Sequence, residues 1–307
     1  MRTLIAALFS LSAFSCKSRD KACTDHATGL IPVYDLADSS FEGFSGGLYP
    51  WGNEIPDFWL QKGLEASGDL IPRGVSGSAD STGKIGFLTL GYSTAAMTAR
   101  VFYDLCADSS VFTDLSFVTG AQAGLDLSAM TDRTGPYWDS VQARIQEAGM
   151  IPEQIQLVWL SSACQELYDR PFPVQATDQI PIYRQVLANI RYHFPQTCIV
   201  FLSDRAFAGY ISEKGAEKLG EPSAYYTSWA VKWTIEDLMM FPSDSIPYTD
   251  WGPALWTDGI RGNAEGYTWS CAEAGKGGIH PSAEGRLKEA MLLYRFFTSS
   301  PYLQQLR

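Results

Sequence analysis

The chain has 307 residues, 46% of them hydrophobic, and a formal net charge of −11. That share of apolar residues is enough to build a full core. The acidic balance excludes a nucleic-acid partner, because phosphates need clustered Lys and Arg.

Residues 1–15 read as a signal peptide. Arg2 supplies the positive start, and the apolar run from Leu4 to Phe14 is too short to span a bilayer. Ala13-Phe14-Ser15 is a small-x-small cleavage site, which makes Cys16 the first mature residue. A cysteine there resembles the acylated cysteine of bacterial lipoproteins, and residues 16–40 read as a polar tether. The expected location is the periplasm or cell surface as a lipoprotein, otherwise secretion. Five cysteines remain: Cys23, Cys106, Cys164, Cys198 and Cys271. An odd number in an exported protein leaves at least one free thiol, and sequence assigns no pairing. There is no Cys-x-x-Cys and no His/Cys cluster, so a structural zinc is not expected, and no metal or organic cofactor is implied elsewhere in the chain.

Residues 24–83 are rich in Gly, Pro and aromatics with little periodicity, which reads as an irregular arm wrapping a domain. Alternating strands and helices follow. Short apolar runs at 85–90, 115–119, 155–160 and 198–202 are of the buried parallel-strand type. Helical stretches fall at 95–106, 137–148, 180–194 and 225–240. A final helix is expected to bury Leu287, Ala290, Met291, Tyr294 and Phe297. The pattern implies one α/β domain over 41–307, a three-layer α/β/α fold with a central parallel sheet of flavodoxin-like topology. Ligands then bind beyond the C-terminal ends of the strands.

Two elements there carry chemistry. Ser93 follows the first strand in Gly91-Tyr92-Ser93-Thr94, and His280 sits in the loop Gly277-Gly278-Ile279-His280-Pro281-Ser282. Read alone, Ser93 is a helix N-cap. A histidine beside it would make it a nucleophile, since serine is inert without a base. Gly124, in Gly120-Ala121-Gln122-Ala123-Gly124 after the second strand, offers a backbone N–H that, with that of Ser93, would form an oxyanion hole. Seven tryptophans (Trp138, Trp159, Trp229, Trp233, Trp251, Trp256 and Trp269) are mostly core candidates, with a few placed to stack on sugar rings.

These three blocks resemble those of the SGNH (GDSL-like) hydrolase superfamily, and specifically a group of exported bacterial members. Weaker matches run along the mature chain, among them Gly46-Gly47-Leu48-Tyr49-Pro50, Asp204-Arg205-Ala206-Phe207-Ala208-Gly209-Tyr210 and Trp251-Gly252-Pro253-Ala254-Leu255-Trp256. The resemblance implies a serine esterase or deacetylase acting on a small-molecule or glycan ester, with Ser93 as nucleophile and His280 as base. Two departures stand out. The superfamily places Asp three residues before the histidine, where this chain has Gly277, and an Asn after the third strand, where it has Ser161-Ser162-Ala163. Glu273 and Asp258 are the candidate substitutes for the acid. The alternative reading is an SGNH scaffold without catalysis that binds a glycan or protein partner.

Overall fold

The computed structural model of the protein describes residues 23–109 and 111–307; the expected signal peptide and Cys16 lie outside them. Five strands form one parallel sheet: β1 (Ile85–Gly91), β2 (Leu115–Thr119), β3 (Ile155–Ser161), β4 (Ile199–Ser203) and β5 (Tyr248–Trp251). Their spatial order is β2-β1-β3-β4-β5. The chain winds outward from β1 to β2, then returns to the other side of β1 at β3. Such a reversal opens a crevice beyond the strands' C-terminal ends, between β1 and β3. β1, β3 and β4 are buried along their whole length, which explains their continuous apolar runs.

Six main helices accompany the sheet: α1 (Asp57–Gly68), α2 (Ser93–Asp108), α3 (Pro136–Glu147), α4 (Ile180–His193), α5 (Ser223–Met240) and α6 (Ala283–Ser299). α2 packs along α6, and α4 along α5. The three-layer α/β/α architecture is the one expected.

Four details correct the sequence reading. α1 arises in the arm that reads as irregular, with Trp59 and Gly63 inward; Gly63 lies against the rings of Tyr248 and Tyr302, where a side chain would not fit. β5 escapes notice because its sequence, Tyr-Thr-Asp-Trp, carries a buried acid at its centre. Asp250 accepts hydrogen bonds from the hydroxyls of Tyr49 (2.8 Å), Tyr248 (3.1 Å) and Tyr302 (2.6 Å), so its burial is compensated. From Cys23 onward the expected tether is part of the domain. Val33 and Leu36 are in the core, Thr28 and Gly29 are bonded to Asp258, and Cys23 forms a disulfide with Cys271. Finally, the inward face of α6 is Glu289, Ala290, Leu293 and Phe297, while Leu287 and Met291 are largely exposed. A glutamate inside the stripe hid its true orientation.

Candidate active site

β1 delivers Ser93 to the sheet's C-terminal edge through a turn that only glycine can make. Gly91 has φ +139°, and a Cβ there would lie 2.0 Å from the carbonyl oxygen of Ser161 on β3. Tyr92 then turns inward. Its buried hydroxyl donates to the Ala163 carbonyl and accepts from the Ala163 N–H, both at 2.6 Å, and meets the Tyr168 hydroxyl at 3.0 Å. Ser93 is the first residue of α2 and not its cap, which is Tyr92. Its hydroxyl is free of backbone duty and lies 2.8 Å from Nε2 of His280, across 187 residues of sequence.

The second block closes the same edge. Gly120 N–H donates to Thr89 O (2.8 Å) and Gln122 N–H to Gly91 O (3.0 Å), lashing the loop to β1. The Arg144 guanidinium donates to Ala121 O at 2.8 Å. Gly124 has φ +74° and borders open space, with no atom within 4 Å of where a Cβ would stand. Among the described residues, the N–H groups of Ser93 and Gly124 are claimed by no hydrogen bond. Ala121 and Ala123 line an open groove of about 660 Å³ with Ser93, Met97, Tyr103 and Arg100. The N-terminus of α2 faces this edge with unpaired N–H groups, a field that favours negative charge.

His280 is held by a loop of tight turns. Gly277 (φ +79°) and Gly278 (φ +77°) are both left-handed, and a Cβ on Gly278 would lie 2.1 Å from Tyr210 O. His280 O accepts from Gly275 N–H at 2.7 Å. Ser282 caps α6, accepting from Gly285 N–H (3.1 Å) and donating to Ala272 O (2.6 Å). The Cys23–Cys271 disulfide fastens the start of this loop to the N-terminal arm.

Neither candidate acid reaches the histidine. Asp258 is buried and accepts from Thr28 N–H (2.7 Å), Thr28 Oγ1 (2.7 Å) and Gly29 N–H (2.9 Å), with Arg261 3.6 Å away. Glu273 takes the N–H of Ser270 at 2.6 Å, the Ser270 hydroxyl and the Lys288 ammonium at 2.8 Å. Partial burial opposes its charge, but Lys288 and Ser270 hold its carboxyl below the usual range. Both serve as fasteners because loops rich in Ser, Thr and free N–H groups claimed them first. Among the described residues, the only hydrogen bond of the His280 ring is the one to Ser93.

A carboxylate absent from the sequence reading does lie close by. Glu289, 3% exposed on α6, accepts a hydrogen bond from the Thr98 hydroxyl on α2. With His280, Thr94, Thr98, Ser161 and Arg205 it lines a cavity of about 40 Å³. Burial pushes its carboxyl up to about 7, against the Thr98 bond that lowers it. The block where the superfamily has Asn holds a buried Ser162 hydroxyl without a partner. Of the seven tryptophans, Trp138, Trp159, Trp229, Trp251, Trp256 and Trp269 are buried core anchors with no exposed ring for sugar stacking, and Trp233 is half-buried against Phe44, Phe172 and Trp229.

No protein-family model matches the chain, and no curated protein matches it. Among solved structures, the chain is similar to a carbohydrate esterase family 3 protein from Talaromyces cellulolyticus, at 12% identity and a TM-score of 0.45, covering 68% of this chain and 93% of that one. It is also similar to a GDSL-like lipase from Bacteroides thetaiotaomicron, at 9% identity and a TM-score of 0.41, covering 77% and 95%. A third is the lipase Lip_vut3 from a goat rumen metagenome, at 14% identity and a TM-score of 0.38, covering 69% and 97%. Values of this size leave them as likenesses.

Proposed function

We propose that the protein is an SGNH-type serine hydrolase that cleaves carboxylic esters. The observation that carries this reading is the 2.8 Å approach of Ser93 Oγ to His280 Nε2 at the mouth of the crevice, beside unclaimed N–H groups. Ser93 donates its hydroxyl proton to Nε2 as Oγ bonds to the ester carbonyl carbon. The tetrahedral oxyanion is held by the N–H groups of Ser93 and Gly124, in the field of the α2 N-terminus. Collapse breaks the bond to the alcohol, which leaves with the proton from His280. Water, deprotonated by His280, then releases the acid and regenerates Ser93.

The groove beside Ser93 is open along its length, which suits a short acyl group on a large polar alcohol such as a glycan. Export is supported by the Cys23–Cys271 disulfide, a bond that persists in oxidising compartments. An acylated Cys16 would add a membrane tether at the periplasmic or outer face.

A fluorophosphonate probe tests the reading, since only an activated serine is labelled. The expected result is labelling of Ser93, loss of it in Ser93→Ala, and aryl acetate turnover that falls on the order of 10⁶-fold in that variant. A folded wild-type protein with neither labelling nor turnover would replace this reading with the binding scaffold.

A further inference from the structure

We propose that Glu289 is the acidic partner of His280, positioning and charge-stabilising its ring through water held in the cavity they share. The inference rests on the hydrolase reading for its catalytic meaning, but its geometry stands by itself.

Ser93 and Thr98 are on α2, and His280 leads directly into α6, which carries Glu289. The Thr98–Glu289 bond therefore ties the helix that begins at the nucleophile to the helix that follows the base. Glu289 spends one oxygen, Oε2, on Thr98; among the described residues its other oxygen has no hydrogen bond. His280 likewise has Nδ1 unbonded once Nε2 is on Ser93. Both residues line the cavity of about 40 Å³. A single water needs roughly 10–15 Å³ of such space, so the cavity has room for at least one.

The polar lining supplies the partners that such water requires: Thr94, Thr98, Ser161, Arg205, His280 and Glu289. When His280 takes the proton of Ser93, Nδ1–H donates to this water, and the water donates to the carboxylate. No proton leaves Nδ1. Arg205 from the loop after β4 and His280 from the loop before α6 line the same cavity, and the Glu289 carboxyl acts on Tyr267. Asp204 and Glu273 act on the same Tyr267. Burial opposes the ionised carboxylate, and the Thr98 hydrogen bond favours it. A buried carboxylate is costly unless something uses it. α2 and α6 could pack here through an apolar pair at less cost.

Glu289→Gln is the informative change, because an amide keeps the volume and can still accept from Thr98. With only three histidines in the chain, NMR can follow His280 through a pH titration, assigned by His280→Asn. The expected result is that the midpoint of His280 falls by about one pH unit in Glu289→Gln, while Glu289→Asp falls part of the way. Turnover of an aryl acetate should drop about tenfold or more in kcat with KM little changed. An unchanged His280 titration in a folded Glu289→Gln protein would overturn the proposal, whatever its activity. Should Glu289→Gln not fold, the same titration in Glu289→Asp decides, an unchanged midpoint again being fatal. A wild-type protein without turnover but with the shifted titration would sink the hydrolase reading and leave the Glu289–His280 coupling standing.

Discussion

The two halves of the site are built by opposite means. The Ser93 turn is an extension of the sheet: β1 lies between β2 and β3, and the turn is bonded to β3 through Tyr92 and the Ser161 carbonyl. The His280 loop belongs to no sheet and is held by glycine turns, a helix cap, Glu273 on Lys288, and a disulfide to the N-terminal arm. A serine at a strand tip inherits its position from the core. A histidine 187 residues away must be fixed by separate cross-links.

The comparison can be broken most strongly from the loop side. Cys271→Ser opens a loop of 248 residues, and the chain-entropy view sets the loss of stability at about 5–6 kcal/mol. Calorimetry should show a lowered Tm, and kcat should fall more than KM rises because His280 loses its anchor. Unchanged kcat would mean that the glycine turns suffice.

From the other side, Gly91→Ala forces Cβ onto the Ser161 carbonyl and an L-residue into a left-handed backbone, costing about 3–4 kcal/mol. Denaturant unfolding measures the loss. Probe labelling should fall even in protein that stays folded, since α2 must shift away from β3. Retained labelling would show that the turn has slack which the structure does not indicate.

Where the halves meet, Glu289 makes stability depend on pH. Its folded carboxyl lies near 7, above the unfolded value, so the native state binds more protons between about pH 4.5 and 7. Its contribution is therefore fully present below the unfolded value and is lost as pH rises through 7, by on the order of 3 kcal/mol. Buried Asp204, raised to about 6 by desolvation against bonds from Ser228, Leu255 and Trp256, adds the same sign at lower pH. Glu289→Gln should flatten the upper part of the stability profile. A profile identical to wild type would place the Glu289 carboxyl in water.

The smallest effect concerns the position where the superfamily has Asp. Gly277 is left-handed, and a Cβ there would lie 3.0 Å from Glu213 Oε2, so Gly277→Asp meets both strain and like charge. We expect a loss of about 1–2 kcal/mol and no gain in kcat on an aryl ester. A rise in kcat would instead show that the loop can rearrange to place an acid on Nδ1.

Four of the five strands and the order of helices were legible because buried parallel strands are unbroken apolar runs and the helices show a helical period. Ser93 and His280 stand out in the sequence by residue type at a strand tip and a helix start, and the structure brings them within 2.8 Å. Two of the missed features, β5 and the inward face of α6, share one cause: a polar residue inside a buried pattern. Asp250 masked β5, and Glu289 turned the apparent face of α6, because a carboxylate reads as solvent-facing until its partners are known. Those partners, the hydroxyls of Tyr49, Tyr248 and Tyr302 or of Thr98, come from distant segments. Which cysteines pair, and that Asp258 and Glu273 are fasteners, likewise depends on residues far apart in sequence. Local pattern determined the layers of this protein and singled out Ser93 and His280; tertiary contact alone brought the two within 2.8 Å and decided which carboxylates are buried and with what partners, because compensation of a buried charge is a property of three-dimensional neighbours.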